Sequence, residues 1–306
     1  MKNNKIKLLI IVLLSFFFIT GCTTQLADKD NNPVKNPTTG QTLTKNILCQ
    51  PKDKDTIQLY LENGIKVEEL PVCKNFSITD GGYEGLWTTF IVKPLAWVII
   101  QFGNILSNYG VGLIITSLLI RLIAFPLTRK TAIQSELMKK AKPKLDKLEK
   151  KYQGKTDQES MMKKNQEMMM IYKEFNINPI SGCLFAFIQI PLFIGFLEAI
   201  NRVPAIFEEK LIGFQLGTTP LTGLTNGNYL YVILTIIVGA TTYYSLKLNS
   251  SSNPDDDRMK MMTRIMFFMI LITSFFMTSA LNVYWVTTNL FTVVQNLLVK
   301  RKKEKV

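Results

Sequence analysis

A chain of 306 residues that is 47% hydrophobic yet carries 36 Lys and Arg against 23 Asp and Glu, a net charge of +13, is too apolar for an ordinary basic nucleic-acid-binding domain and too charged for a plain channel bundle. It reads as an all-α membrane protein with basic loops. Histidine is absent, which removes Ser-His-Asp and Cys-His catalysis, the commonest general base and nearly all catalytic zinc arrangements, so no enzyme, metal or cofactor is expected.

In chain order, Lys2, Lys5 and Lys7 precede an apolar stretch from Leu8 to Ile19 and then Thr20-Gly21-Cys22, a secretory pattern. Its ending resembles a bacterial lipoprotein signal over residues 1–21, after which Cys22 would take a lipid such as palmitate. The competing reading is an uncleaved anchor helix, whose apolar part is short for a full span. Both readings place residues 22–84 outside the cytoplasm as a tether. Thr23 to Gln50, rich in Asn, Thr, Lys, Asp and Pro, is expected to be disordered. Thr56 to Leu61 and Gly64 to Val67 alternate well enough for a small hairpin around Glu62-Asn63. Cys49 and Cys73 are free to pair as a disulfide or to stay thiols, while Cys183 opens a predicted span as a small packing residue. No Cys-x-x-Cys spacing suggests a metal.

The segment 86–106 carries Trp87, Lys93, Trp97 and Gln101 among apolar residues and is interrupted by Pro94. An amphipathic helix lying on the outer membrane surface fits that pattern better than a span. Five spans follow, at about 110–128, 180–200, 229–248, 262–278 and 283–299. Between the first two, residues 129–178 are dense in Lys, and the tail 300–306 adds Lys300, Arg301, Lys302, Lys303 and Lys305; positive-inside logic puts both in the cytoplasm. Parity agrees, since one span separates the exported N-terminus from the basic loop and four separate that loop from the tail. The loop from Asn201 to Asn228 holds only Arg202 and Lys210, as an outside loop should. Within 129–178, apolar periodicity over Thr131 to Lys151 and Asp157 to Glu174, divided at Tyr152-Gln-Gly-Lys-Thr156, predicts a cytoplasmic helical hairpin. Its methionines either hold the hairpin together or offer an adaptable docking face.

Arg121 sits inside the first span. A cation near mid-bilayer costs at least ~2.5 to 3.5 kcal/mol on insertion scales, so it normally faces a wet cavity, a partner or the headgroups, the last by snorkelling. Glu198 is the one acid within a span, near the outer end of the second. No Walker-type glycine loop is present, so nucleotide energy would have to come from a partner.

Four ordered runs carry a family resemblance: Trp87 to Trp97, Gly112 to Thr128, Asn178 to Phe193 and Asn282 to Asn296. Together, over about Gly85 to Lys300, they resemble the YidC family of membrane protein insertases in its five-span, lipoprotein-like bacterial form, with the insertase domain at 85–306. The resemblance implies a chaperone and insertase that passes nascent membrane proteins into lipid through a positively charged hydrophilic groove. Arg121 would attract polar or acidic parts of a client's exported segment. Ser117, Gln189, Trp285 and Asn289 are carried over as further groove residues. Ser117 stands where other members can have threonine, and Trp285 where some have tyrosine. Partners implied are a Sec translocon, ribosomes and membrane lipids, with no specific nucleic-acid sequence. A secondary transporter or channel is the main rival, but it would usually bring repeated halves and a coupling acid at mid-membrane. An intramembrane enzyme lacks its catalytic groups, and a plain structural scaffold leaves Arg121 unexplained.

Overall fold

The computed structural model describes residues 23–178, 181–249 and 257–304, the side chains of 181–188, 249, 257–260, 262 and 301–304 excepted. The expected signal segment, the lipidation position Cys22 and the Cys183 side chain lie outside the described residues. In order, the chain forms α1 (Lys54–Glu62), a π-helical turn (Thr88–Val92) leading into α2 (Lys93–Leu106), α3 (Tyr109–Lys151) and α4 (Gln158–Glu174). It continues through α5 (Ser181–Asn201), α6 (Pro204–Glu208), β1 (Lys210–Leu211), β2 (Phe214–Gln215), α7 (Pro220–Thr225), α8 (Leu230–Asn249), α9 (Asp257–Phe276) and α10 (Ser279–Glu304). Among the described residues, Thr88–Leu106, Tyr109–Lys151 and Leu230–Leu248 are long and apolar enough to cross a membrane, while Gln189–Asn201 and Thr263–Phe276 are shorter apolar helices. The structure is thus mostly helical. It divides into two compact units: the chain up to Leu119 with Ile190–Ile236 and Ser274–Trp285, and Ile120–Gln189 with Ile237–Thr273 and the chain from Val286.

In the first unit, the segment after residue 23 is ordered rather than the disordered tether expected. Backbone bonds from Leu26 N to Leu43 O, Val34 N to Leu26 O and Leu43 N to Val34 O lace three extended pieces together. Leu26, Val34, Leu43, Ile47, Tyr60 and Val67 bury themselves in one cluster beneath them. The polar composition concealed a sparse apolar set that becomes a core only once α1 supplies Tyr60. The expected strand hairpin at 56–67 is also replaced. Asp53 caps α1 by accepting from Thr56 N at 2.9 Å, and the cap makes the following residues helical despite their alternation. Cys49 and Cys73 are joined as a disulfide, with Cα atoms 4.8 Å apart.

The same unit holds a close helix crossing. A side chain at Gly112 would meet Ile99 O at 2.4 Å and Gly103 N at 2.6 Å, so the start of α3 and the end of α2 approach backbone to backbone. Between them the chain reverses through Ser107, which is left-handed at φ 54, and Asn108, whose Oδ1 accepts from Val111 N at 3.0 Å.

In the second unit, α3 continues through Pro126 and Pro143 without a break, although Pro126 followed by Arg129 and Lys130 reads as the end of a span. Apolar periodicity on both sides of that point keeps the helix going. Gly154, at φ +78, lets the chain turn after Lys151, and Asp157 caps α4 through Ser160 N at 2.8 Å. The far end of α3 and α4 pack through Ala141 and Leu145, with Leu137, Met138, Met168, Ile171 and Ile177 around them. Ion pairs Lys144–Glu174, Lys151–Glu167 and Lys164–Glu149 flank the seam. Met168 lies in that seam, whereas Met161, Met162, Met169 and Met170 are exposed.

Candidate functional site

The Arg121 side chain is 5% exposed, while its helix neighbours Leu122 and Ile123 are 57% and 74% exposed. Beside it on α3, Leu122 and Ile123 therefore face outward, as lipid would require, and the guanidinium is turned into the protein. An arginine aimed at acyl tails, or reaching along the helix to a distant surface, would show the reverse pattern. One turn earlier on the same helix, Ser117 is 1% exposed and its hydroxyl donates to Leu113 O at 2.7 Å. Thr116 does the same to Gly112 O at 2.8 Å. Both hydroxyls thus spend their proton on their own helix and keep lone pairs for a donor.

The other positions named from sequence are distributed over α5 and α10. Gln189 is half-buried, and its Oε1 finds no hydrogen-bond partner among the described residues. Trp285 stacks on Phe193 with ring centroids 5.7 Å apart and 5° between the planes. Tyr284 beside it is fully buried and stacks on Phe196 at 4.7 Å. One turn further on, Asn289 Nδ2 donates to Thr242 Oγ1 of α8 at 2.8 Å. Ser117 and Trp285 belong to the first unit, and Arg121, Gln189 and Asn289 to the second.

Sequence reasoning missed the polar side chains around Asn289. Thr288, Thr292, Gln295 and Asn296 of α10 are all buried, as are Thr242 and Ser245 of α8 and Thr128 of α3. Thr128 Oγ1 lies 3.0 Å from Gln295 Nε2, and Asn296 Nδ2 donates to Thr292 O at 2.9 Å. The signal was legible: 288, 292 and 295 recur at helix spacing, so the most polar stripe of α10 is its inward one, opposite to the usual soluble pattern. In an apolar surround such a stripe is costly unless its groups bond one another or meet water.

In the first unit the buried charges are different in kind. Glu84 pairs with Lys93 at 2.9 Å and with Arg202 at 2.5 Å, and both cations are almost wholly buried. Lys93 Nζ also donates to Asp80 O and Gly82 O, and Arg202 Nε to Asn46 O. Burial pushes the Glu84 carboxyl up, but hydrogen bonds from Arg202 and Lys93 outweigh it and hold the group below its usual range. Glu198 of α5, 2% exposed, accepts from Trp87 Nε1 at 3.0 Å.

Residues 101–306 match the family described as 60Kd inner membrane protein. Membrane protein insertase YidC 2 of Listeria innocua is 37% identical over 226 residues, which cover 72% of this chain and 75% of the relative. The chain belongs to the YidC family of membrane protein insertases. Membrane protein insertase YidC of Oceanobacillus iheyensis is 34% identical over 226 residues, 71% of this chain and 85% of that one. The fold is similar to that of an active YidC insertase crystal structure with the first transmembrane domain resolved, at a TM-score of 0.52 and 21% identity. That likeness covers 78% of this chain, which spans about half the length of that structure. The resemblance argued from the four motifs is therefore right at the level of family, and the chain is a bacterial membrane protein. The match begins at residue 101, so the ordered N-terminal segment and most of α2 precede it.

Proposed function

We propose that the chain is a membrane protein insertase and chaperone in which Arg121 is the central cation of a hydrophilic groove that receives polar parts of client segments. The observation that carries this is the burial of Arg121 on a helix whose neighbouring apolar side chains are exposed. Moving carboxylates and peptide groups through hydrocarbon is the expensive step of insertion, and a hydrated, positively charged recess lowers it locally. Burial of the client's apolar residues and helix formation in the bilayer supply the remaining drive. Ser117, Gln189, Trp285 and Asn289 serve as further client contacts, supported by the free lone pairs of Ser117 and the unpartnered Gln189 Oε1.

In this reading five spans cross the membrane, on α3, α5, α8, α9 and α10. Residues 86–106 lie along the outer surface, and α4 with the far end of α3 forms the cytoplasmic hairpin. The N-terminal segment is outside, tethered by a lipid on Cys22, and the basic C-terminus is cytoplasmic. Nascent membrane proteins are the clients, and a Sec translocon and the ribosome are the proposed partners. In proteoliposomes, a photoreactive residue at Gln189 or Trp285 should crosslink to a single-span client with an acidic exported tail, and Arg121→Ala should remove both crosslink and insertion. Insertion at the wild-type rate by the alanine variant would refute the groove.

A further inference from the structure

The two-residue turn between β1 and β2 is made by Ile212 and Gly213, both at positive φ, 50 and 85 respectively. This is the turn for which Asn-Gly or Asp-Gly is ordinarily chosen, because a β-branched residue in the left-handed region is strained. Ile212 is also 86% exposed, so no packing among the described residues repays that strain. An apolar side chain kept at a strained and solvent-facing tip points to a covering that is not part of the protein.

The surroundings of the tip identify the covering. Gly213 lies against Leu230, the first residue of α8, with a side chain at 213 placed 3.4 Å from Leu230 Cδ2. On the opposite strand, Asn108 Nδ2 donates to Lys210 O at 3.0 Å immediately before α3 begins. Leu211 packs near Gly110. The hairpin is therefore fastened beside the first turns of two helices long and apolar enough to span a membrane. At that level stand Leu106, Tyr229 and Leu230, all exposed, and Lys210 is the only exposed cation in the loop 201–228. An apolar tip, a tyrosine and a lysine at the end of a span are the chemistry of the headgroup boundary.

We propose that the Lys210–Gln215 hairpin is an anchor in the outer leaflet, with Ile212 in the upper acyl region and Lys210 against lipid phosphate. The anchor would hold the ends of α3 and α8 at a fixed depth, and with them Ser117 and Arg121 further along α3. This rests on the reading of α3 and α8 as spans, and the test separates the two. The full chain carries a nitroxide on a keto amino acid, which leaves the native cysteines alone, at Ile212, at Ile236 or at Lys29, in phosphatidylethanolamine–phosphatidylglycerol vesicles. Collision rates with oxygen and with a neutral nickel chelate report depth. Position 236 should be oxygen-rich, position 29 nickel-rich, and position 212 intermediate, with an oxygen-to-nickel ratio at least about threefold that at 29. A ratio at 212 equal to that at 29 overturns the anchor while 236 still supports the span. Shielding of 212 from both reagents would mean a protein partner covers it and also overturns the anchor. A nickel-rich 236 would overturn span and anchor together. Lys210→Glu should shift 212 toward the aqueous value, and an unchanged ratio would remove lysine from the assignment.

Discussion

The two units differ in how they hold their buried charges and amides. In the first, two nearly inaccessible cations, Lys93 and Arg202, close on one carboxylate, Glu84, and a buried carboxylate, Glu198, takes the indole N–H of Trp87. In the second, beside the buried Arg121, the set along α10 and its neighbours is made of hydroxyls and amides, with Asn289 bonded to Thr242 and Gln295 to Thr128. Charges locked to each other fix geometry and have nothing left for a visitor. Neutral groups exchange hydrogen-bond partners at smaller cost than paired charges do, which suits the client surface proposed above. On the proposed function, the difference separates polarity that builds the protein from polarity that receives clients.

The largest expected effect tests the first half of that contrast. Glu84→Ala leaves Lys93 and Arg202 buried without their carboxylate and should cost about 3–5 kcal/mol of stability. Thermal unfolding in detergent would show it, and a loss below about 1 kcal/mol, the scale of a surface pair, would mean the charges are better hydrated than their burial implies. Replacing Cys49 and Cys73 together by Ser should follow at about 2–4 kcal/mol, because the bridge closes a loop of about two dozen residues. Protease resistance should then fall between residues 23 and 84, and the region after Val286 should be unaffected.

Arg121→Ala tests the second half. Stability should change little, while insertion of clients with acidic exported tails falls at least about tenfold, equivalent to about 1.4 kcal/mol. Arg121→Lys should retain part of the activity, since a point charge still attracts a carboxylate. If alanine at 121 unfolds the protein as alanine at 84 is expected to do, Arg121 belongs with the structural charges and the contrast is false. Asn289→Ala should sit lower still. Hydrogen bonds between membrane helices are worth about 0.6–2 kcal/mol, so a small drop in unfolding temperature with a measurable loss of crosslinking to clients is expected.

What the sequence disclosed divides along the same line. Apolar runs marked the helices, since a run long enough to span is a one-dimensional signal, and Arg121 stood out because a charge inside such a run has few bland explanations. The continuity of α3 through Pro126 was not legible, because proline is a local breaker that, followed by Arg129 and Lys130, reads as an end. Nor was the order of residues 23–50, whose few apolar positions meet through contacts between segments far apart in the chain. The Glu84–Arg202 pair joins residues 118 apart, beyond the reach of any spacing rule. The inward stripe of α10 could have been seen, had polarity been read with the same period as apolarity.

The smallest expected effect is a pH dependence in the first unit, where two carboxyls act with opposite sign. Glu84 is held below its usual range, so it contributes stability above the unfolded value of about 4.3, and that contribution is lost as pH falls through the folded value. Glu208 is the reverse. Burial raises it, only partly offset by the N–H groups of Asp53 and Lys52 that its Oε1 accepts, so its contribution is complete below about 4.3 and is lost as pH rises through its folded value. Glu208→Gln keeps an oxygen for both N–H groups and removes the ionisation. The unfolding temperature of that variant should match the wild type near pH 4 and exceed it increasingly toward pH 7. A gap that stays constant across that range would mean Glu208 titrates as it does in the unfolded chain. The hold of Lys52 and Asp53 on Glu208 would then be too hydrated to act like the buried charges around Glu84.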